Sequence, residues 1–354
     1  MKLDINIEKN AAKYEVIIKN GLIQNLSEEI KNVYSGKKIA VLTDENIFEL
    51  YCSKLESSLN EQFDVSFIII KTGENSKTLS VLEFVYAKLS EYNIQRSDLI
   101  IAFGGGVVGD LTGFAASTYL RGIDYIQVPT SLIAQTDSCI GGKTAVNLAE
   151  GKNLAGSFYH PKAVLIDTDF LLTLSDKYIK DGMGEIIKYA CIKDLSLFQF
   201  LMNIKSKHEL FENIEKIVHT CLSIKKQLIE FDEKDKGIRM LLNFGHTIGH
   251  AIEKYYSFQI THGEAVAAGM LIITKNSERI GYTEIGTYEK LKAISDNFNI
   301  QCNLDNYNKK EIKKYILSDK KNLNNNINLI LLKKIGESFI HNVPVNAVDE
   351  FITP

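Results

Sequence analysis

Asp98-Leu99-Ile100-Ile101-Ala102-Phe103 runs without a break into Gly104-Gly105-Gly106-Val107-Val108-Gly109-Asp110, and a helical pattern follows. The first six residues have the nearly continuous apolar character required of a strand buried on both faces. The glycines let the backbone turn sharply and approach a ligand, while the N–H groups and dipole of a helix start favour an anion. Strand, glycine turn and helix start describe a phosphate cradle, and Gly104, Gly106 and Gly109 fit the dinucleotide pattern GxGxxG. Taken alone the motif also suits a tight structural turn, and it lies about four strands into the chain rather than in the first βαβ unit.

The same alternation extends outward. Lys38–Asp44, Asp64–Ile70, Asp124–Pro129 and Ala163–Asp167 read as strands, and Glu45–Leu59, Ser76–Tyr92 and Val107–Leu120 as helices. This predicts an α/β fold, Rossmann-like, with a mainly parallel sheet covered on both faces. From about Ser175 the strand signal nearly vanishes and helical periods continue to about Ser318. The expected division is an α/β domain over 1–174 and a mostly helical domain over 175–354, as a length of 354 residues suggests. Lys320–Lys334 reads as biased composition rather than a functional tract, and no internal repeat is present.

A net charge of −3 supplies no general field for nucleic acid or membrane, so an anionic ligand must meet locally placed cations. The five cysteines are widely spaced without a CxxC pair, which suits reduced thiols in a cytoplasmic protein. No apolar leader or uncharged run of about 18 residues points to export or a membrane span.

Three of the seven histidines fall within 246–262, in Asn243-Phe244-Gly245-His246-Thr247-Ile248-Gly249-His250 and Thr261-His262-Gly263-Glu264. His246 and His250 share one helix face, with Phe244, Ile248 and Ile252 expected as an apolar stripe on the other side. Such a pair offers imidazole nitrogens to a divalent ion or forms a hydrogen-bonded face. Asp44 ends a strand, where ligands of open α/β sheets bind. Glu74 and Lys77 open the next helix, as ligand groups or as capping and surface charge. Lys143, Lys152 and Asn153 lie among glycines and suit phosphate or carboxylate, the alternative being a solvated loop. Glu185 and Lys188 are three apart, a spacing usual for surface ion pairs, but follow a glycine-rich lead-in.

In this order, from about Asp44 to Lys321, these tracts resemble the 3-dehydroquinate synthase family. The resemblance implies NAD in the first domain, with Asp44, Asn46, Glu74 and Lys77 near the adenosine end, and Gly105, Gly106, Val107 and Asp110 along the pyrophosphate. Thr130, Ser131, Phe170 and Thr173 complete the implied cofactor contacts. It implies a zinc ion, replaceable by cobalt, on Glu185, His246 and His262, which leaves positions for substrate oxygens. Implied substrate contacts are Asp137, Lys143, Lys152, Asn153, Lys188, Lys225, Arg239, Asn243, His250 and Lys320 or Lys321, with Lys143, Asp235 and His250 in catalysis. Arg121 matches an arginine that reaches a neighbouring subunit, which implies a homodimer. The implied substrate, 3-deoxy-D-arabino-heptulosonate 7-phosphate, is a sugar-acid phosphate that loses phosphate and closes to 3-dehydroquinate.

The chain departs from the family at Asp235, where a glutamate is usual, and at Ser131, where threonine is common; 294–303 lacks the expected Leu-Pro signal. The competing expectations are a related sugar-phosphate cyclase, a metal- and NAD-dependent polyol dehydrogenase and a catalytically silent NAD-binding protein. A dehydrogenase has little use for Lys143, Lys152, Lys188, Lys225 and Arg239 together, and the related cyclases usually lack a substrate carboxylate. The intact Glu185, His246 and His262 argue against a silent protein.

Overall fold

The computed structural model describes residues 1–7, 12–300, 308–319 and 325–352. It divides into two compact units, Met1–Leu174 and Ser175–Pro354. The first unit contains β1 (Lys2–Ile7), β2 (Ala12–Ile18), α1 (Leu26–Lys31), β3 (Lys38–Asp44), α2 (Glu45–Leu59), β4 (Asp64–Ile70), α3 (Leu79–Glu91) and β5 (Leu99–Gly104). It continues through α4 (Gly106–Thr118), β6 (Asp124–Pro129), β7 (Lys143–Leu148), β8 (Gly151–Phe158) and β9 (Ala163–Ile166).

The main sheet has the order β1-β2-β9-β6-β5-β3-β4, antiparallel at β1–β2 and parallel elsewhere. The alternation of strand side chains explains the unbroken apolar runs. Ile39, Val41, Ile101 and Phe103 enter one core with α1 and α2, while Ala40, Leu42, Ile100 and Ala102 enter another with α3 and α4. From β3 the chain builds outward to β4 on one side, and from β5 to β6 on the other. The strand order therefore reverses between β3 and β5. This is the position at which an open α/β sheet leaves a crevice beyond its strand ends, and the ends here are Asp44 and Gly104.

Local chemistry shifts some boundaries. The Thr78 hydroxyl accepts from Val81 N at 3.3 Å, so α3 starts at Leu79 and the preceding Glu74–Ser76 makes a separate 3-10 turn. α4 ends at Thr118 because Leu120 (φ 50°), Arg121 (φ 66°) and Gly122 (φ 118°) turn left-handed. The lysine- and glycine-rich tract after Gly142 is not a loop: β7 and β8 form an antiparallel hairpin.

The second unit contains α5 (Asp176–Lys193), α6 (Leu195–Asn203), α7 (Lys207–Glu212), α8 (Ile214–Phe231), α9 (His246–Tyr255), α10 (His262–Arg279), α11 (Thr287–Asn297), α12 (Lys309–Asp319), β10 (Asn326–Lys334) and β11 (Glu337–Pro344). The end of the Asn- and Lys-rich tract thus belongs to a hairpin, whose first strand buries Ile327 and the run Leu329-Ile330-Leu331-Leu332. Phe244 is buried as expected but precedes α9, which starts after Gly245 in the left-handed region at φ 79°.

The helices that carry the candidate ligands meet through glycine. A methyl group on Gly184 of α5 would overlap the backbone of Gly263, one on Gly263 would overlap Asp181, and one on Gly269 would overlap the Gly245 carbonyl. On an exposed helix, Gly→Ala stabilises by about 1 kcal/mol. At Gly184 the sign reverses: Gly184→Ala is expected to destabilise by about 1–3 kcal/mol through overpacking. A lowered urea midpoint with unchanged slope checks this, and an unchanged or raised midpoint would show that the helices separate without cost.

Candidate functional site

In the second unit, α5 brings Glu185 fully inside, with Lys188 one turn on and ion-paired to it. Both are excluded from solvent, which rules out the surface-pair reading of their spacing. α9 and α10 supply His246 and His262 from their first residues. The start of α10 is held by a capping box in which Thr261 and Glu264 bond one another's backbone N–H groups. Asp181 adds a further anchor by accepting from Gly263 N at 2.7 Å.

The nitrogens are oriented from behind. His246 Nδ1 lies 3.1 Å from the Phe244 carbonyl, which can only accept, so this nitrogen carries the hydrogen. Burial pushes the imidazole down to about 4, so it is neutral near pH 7 and Nε2 presents a lone pair. That lone pair faces Glu185 Oε1 at 3.3 Å. Two electron-rich atoms at that separation attract only through a cation between them. His262 Nε2 is also 3.3 Å from Glu185 Oε1. Ligands held at about 2.0–2.2 Å around a tetrahedral zinc stand about 3.3–3.6 Å from each other. The spacing therefore fits an ion of that size, and Glu185, His246 and His262 are a chemically suitable set of donors.

Glu253 lies behind His262, with Oε2 3.3 Å from Nδ1. Burial works against a charged His262, but Glu185 and Glu253 outweigh it and push the imidazole up to about 10. Burial likewise opposes ionisation of Glu185, yet the Lys188 ammonium beside it holds it well below the ordinary carboxylate value. His250 is exposed, with a ring nitrogen within 4.8 Å of the ligand nitrogens of His246 and His262. It is thus close enough to serve either the ion or a molecule beside it.

Lys225 and Arg239 are also buried, at 6% and 2% exposure. Arg239 lies at the end of a loop that Asp232 shapes by accepting from Lys236 N at 3.0 Å, Gly237 N at 2.7 Å and Arg239 N at 3.1 Å. Burial opposes the Asp232 charge, but these N–H groups lower its pKa overall. The Arg239 guanidinium donates to the Glu233 carbonyl, and Asp235 stands half-buried in the same loop at φ 57°. Asn243 ends the following 3-10 turn.

In the first unit Gly105 precedes α4 without a side-chain cap, so Gly106 and Val107 open the helix with their N–H groups uncovered by a side chain of the cap. A methyl on Gly105 would sit 3.4 Å from Ser131 Oγ, and one on Gly106 3.2 Å from Ser138 Oγ, so the cradle wall is close and polar. Asp44 caps α2, accepting from Asn46 N at 3.0 Å and Ile47 N at 3.2 Å. Lys77 is buried at 4% exposure and ion-paired with Asp110, which excludes its reading as surface charge. Thr130 is buried at the end of β6, and Ser131 accepts from Ala134 N at 3.3 Å ahead of the turn that holds Asp137.

Phe170 is closed between Tyr51 and Phe103 at ring distances of 4.9 and 5.5 Å, while Thr173 meets the Tyr51 hydroxyl at 2.7 Å. Both border a cavity of about 570 Å³ whose lining lacks Asp44 and the glycine cradle. Lys143, Lys152 and Asn153 are exposed on the β7–β8 hairpin, and Arg121 is exposed on its left-handed turn. Lys320 and Lys321 lie outside the described residues. Sequence reasoning missed Glu253, Asp181 and Asp232. Two of them left a spacing signal: Glu253, seven residues after His246 and three after His250, shares their helix face, and Asp181 stands four residues before Glu185.

Comparison with known proteins accords with this arrangement. Models of the 3-dehydroquinate synthase N-terminal and C-terminal regions match residues 67–181 and 182–322. The 3-dehydroquinate synthase of Clostridium acetobutylicum is 51% identical over 341 residues, covering 96% of either chain. Among solved structures, 2-deoxy-scyllo-inosose synthase complexed with carbaglucose-6-phosphate, NAD+ and Co2+ has a TM-score of 0.87 at 24% identity, covering 99% of either chain. The 2-epi-5-epi-valiolone synthase of Streptomyces hygroscopicus subsp. jinggangensis, with NAD+ and Zn2+ bound, has a TM-score of 0.86 at 24% identity, covering 96% of this chain and 95% of its own. At that identity the two structures establish the fold. Together with the near full-length identity to the clostridial protein, the match over 67–322 means that the chain belongs to the 3-dehydroquinate synthase family.

Proposed function

We propose that the chain converts 3-deoxy-D-arabino-heptulosonate 7-phosphate to 3-dehydroquinate and phosphate, as a phosphate-eliminating cyclase that uses NAD and a divalent ion. The observation that carries the reading is the convergence of Glu185, His246 and His262, with both imidazoles anchored through Nδ1. When bound, NAD supplies transient oxidation at C5, and zinc or cobalt supplies Lewis acidity toward the oxygen there. In this reading Asp44, Asn46, Glu74, Lys77, Gly105, Gly106, Val107, Asp110, Thr130, Ser131, Phe170 and Thr173 form the cofactor side.

The cations Lys143, Lys152, Lys188, Lys225 and Arg239, with Asp137, Asn153 and Asn243, orient a substrate that carries a carboxylate, a phosphate and hydroxyls. This resolves how a chain of net charge −3 draws in a polyanion: the cations are local, and three of them are buried where water screens them little. Asp235 accepts a proton in place of the family's usual glutamate, and His250 works on the substrate rather than the ion. Once C5 is a ketone, the hydrogen on C6 is acidified and phosphate leaves by β-elimination. Return of the hydride, ring opening and an intramolecular aldol step complete the carbocycle. A cytoplasmic homodimer belongs to the same proposal, with Arg121 as the residue that reaches the second subunit. Among the described residues, no helix is long and apolar enough to cross a membrane.

The fate of the hydride tests the proposal as a whole. With trace NAD and excess substrate, many equivalents of phosphate should appear without accumulation of NADH, and deuterium placed at C5 should remain in the product. Stoichiometric NADH, or oxidation of glycerol-like alcohols without phosphate release, would establish a dehydrogenase instead.

The division of labour among the histidines is separable by metal analysis. His250→Ala should keep near-stoichiometric zinc after dialysis and lose turnover, whereas His246→Ala should lose the zinc. Equal loss of zinc in both variants would make His250 a ligand.

Glu253→Gln should weaken zinc binding about 10–100-fold, since the carboxylate behind a metal-bound imidazole orients the ring and raises its basicity. Competition with a chromogenic chelator measures this without reference to activity. An unchanged zinc affinity would limit Glu253 to packing.

A further inference from the structure

The β7–β8 hairpin contains an irregularity with a definite occupant. Val146 pairs with Ala155, and Leu148 with Gly151. Asn147 therefore stands alone opposite Lys152, Asn153 and Leu154, a bulge that interrupts the ladder. A bulge leaves backbone groups without their regular partners and re-aims the side chains that it carries. Here the Asn147 side chain takes over the missing bond: its Oδ1 accepts from Asn153 N at 2.9 Å. The other end of the same amide donates to Glu74 Oε1 at 2.7 Å. Its backbone N–H donates to the Lys77 carbonyl at 2.8 Å.

Asn153 is held at a second point, because Lys77 Nζ donates to its Oδ1 at 2.6 Å while also pairing with Asp110. With its main chain fixed by Asn147 and its carbonyl end engaged by Lys77, Asn153 is left with its NH2 group to offer a ligand. That group is a donor suited to phosphate, carboxylate or hydroxyl oxygens. The left-handed φ of 57° at Asn153, which asparagine tolerates, accommodates this geometry.

We propose that Asn147 is a positioning residue, which clamps the bulge Lys152–Leu154 to the Glu74–Lys77 segment and so presents Lys152 and Asn153 to the substrate in one arrangement. The proposal rests on the reading that Lys152 and Asn153 bind the heptulosonate phosphate. It adds that the cofactor-side residues Glu74 and Lys77 and the substrate-side hairpin are one hydrogen-bonded assembly through a residue that touches neither ligand.

The test compares Asn147→Ala, Asn153→Ala, Lys152→Ala and the Asn147→Ala/Asn153→Ala double variant in the NAD- and zinc-loaded enzyme. Asn147→Ala is expected to raise KM for the heptulosonate phosphate about tenfold, the scale of a lost hydrogen bond to a ligand-holding group, with a much smaller change in kcat. The double variant should fall well short of the product of its two single effects, because one residue acts through the other. Hydrogen exchange of the Asn153 amide should accelerate in Asn147→Ala. In Asn147→Asp/Glu74→Gln, which keeps the accepting oxygen toward Asn153 and lets the amide at 74 donate to the carboxylate at 147, it should remain slow, and this variant also serves if the alanine form folds poorly. Silent Lys152→Ala and Asn153→Ala variants would overturn the substrate reading of the bulge, whereas the exchange measurement would still report on the clamp. Impaired Lys152→Ala and Asn153→Ala beside an Asn147→Ala of wild-type KM and unchanged exchange would overturn the proposal itself.

Discussion

Backbone contact between helices is the constraint from which the convergence of Glu185, His246 and His262 follows. Where Gly184 of α5 meets Gly263 of α10, and Gly269 of α10 meets Gly245 before α9, no side chain fits between the backbones. Glu185 is one residue from the first contact, His262 one from the same contact, and His246 one from the second. Side chains placed next to the closest approach of their helices have little freedom to separate. This is how two imidazole nitrogens can be held 3.3 Å from one carboxylate oxygen. The cost of such proximity is met by packing that a single methyl group would disturb.

Behind the donors the protein spends polar groups on orientation. The Phe244 carbonyl selects the tautomer of His246, and Glu253 holds the Nδ1 side of the His262 ring. Asp232 plays the corresponding part for the loop of Asp235 and Arg239, gathering three backbone N–H groups on one carboxylate. In the first unit, Asn147 and Lys77 hold the bulge that carries Lys152 and Asn153. In each case a residue with an apparently local role sets the direction in which a more reactive neighbour points. Asp235 itself is a left-handed residue of that loop, so the backbone conformation sets the direction of its carboxylate.

The pattern of residues was sufficient for the strands β3, β4 and β6, for the glycine cradle, and for the change to helix after about Ser175, because each follows from local periodicity or from the absence of a side chain. The pairing of β7 with β8 was not legible: its glycines and lysines resemble a solvated loop, and only the partner strand reveals the alternation. The same holds for β10, where the buried run Leu329-Ile330-Leu331-Leu332 sits within a tract of Asn and Lys. By spacing Phe244 extends the α9 stripe, but Gly245 at φ 79° starts the helix only after it, a conformation that spacing does not disclose.

Composition and order thus determined the fold class, the glycine cradle and the types of residue available as ligands, since helical and strand periods and glycine content are properties of neighbouring residues. Tertiary structure alone decided that Lys77, Lys188 and Arg239 are buried rather than solvated, that Glu253 backs His262, and that Asn147 bridges Glu74 and Asn153. Those facts depend on how the chain packs around each residue, near or far in sequence, and for a charged or amide side chain the sequence is the same whether its partner is water or another residue.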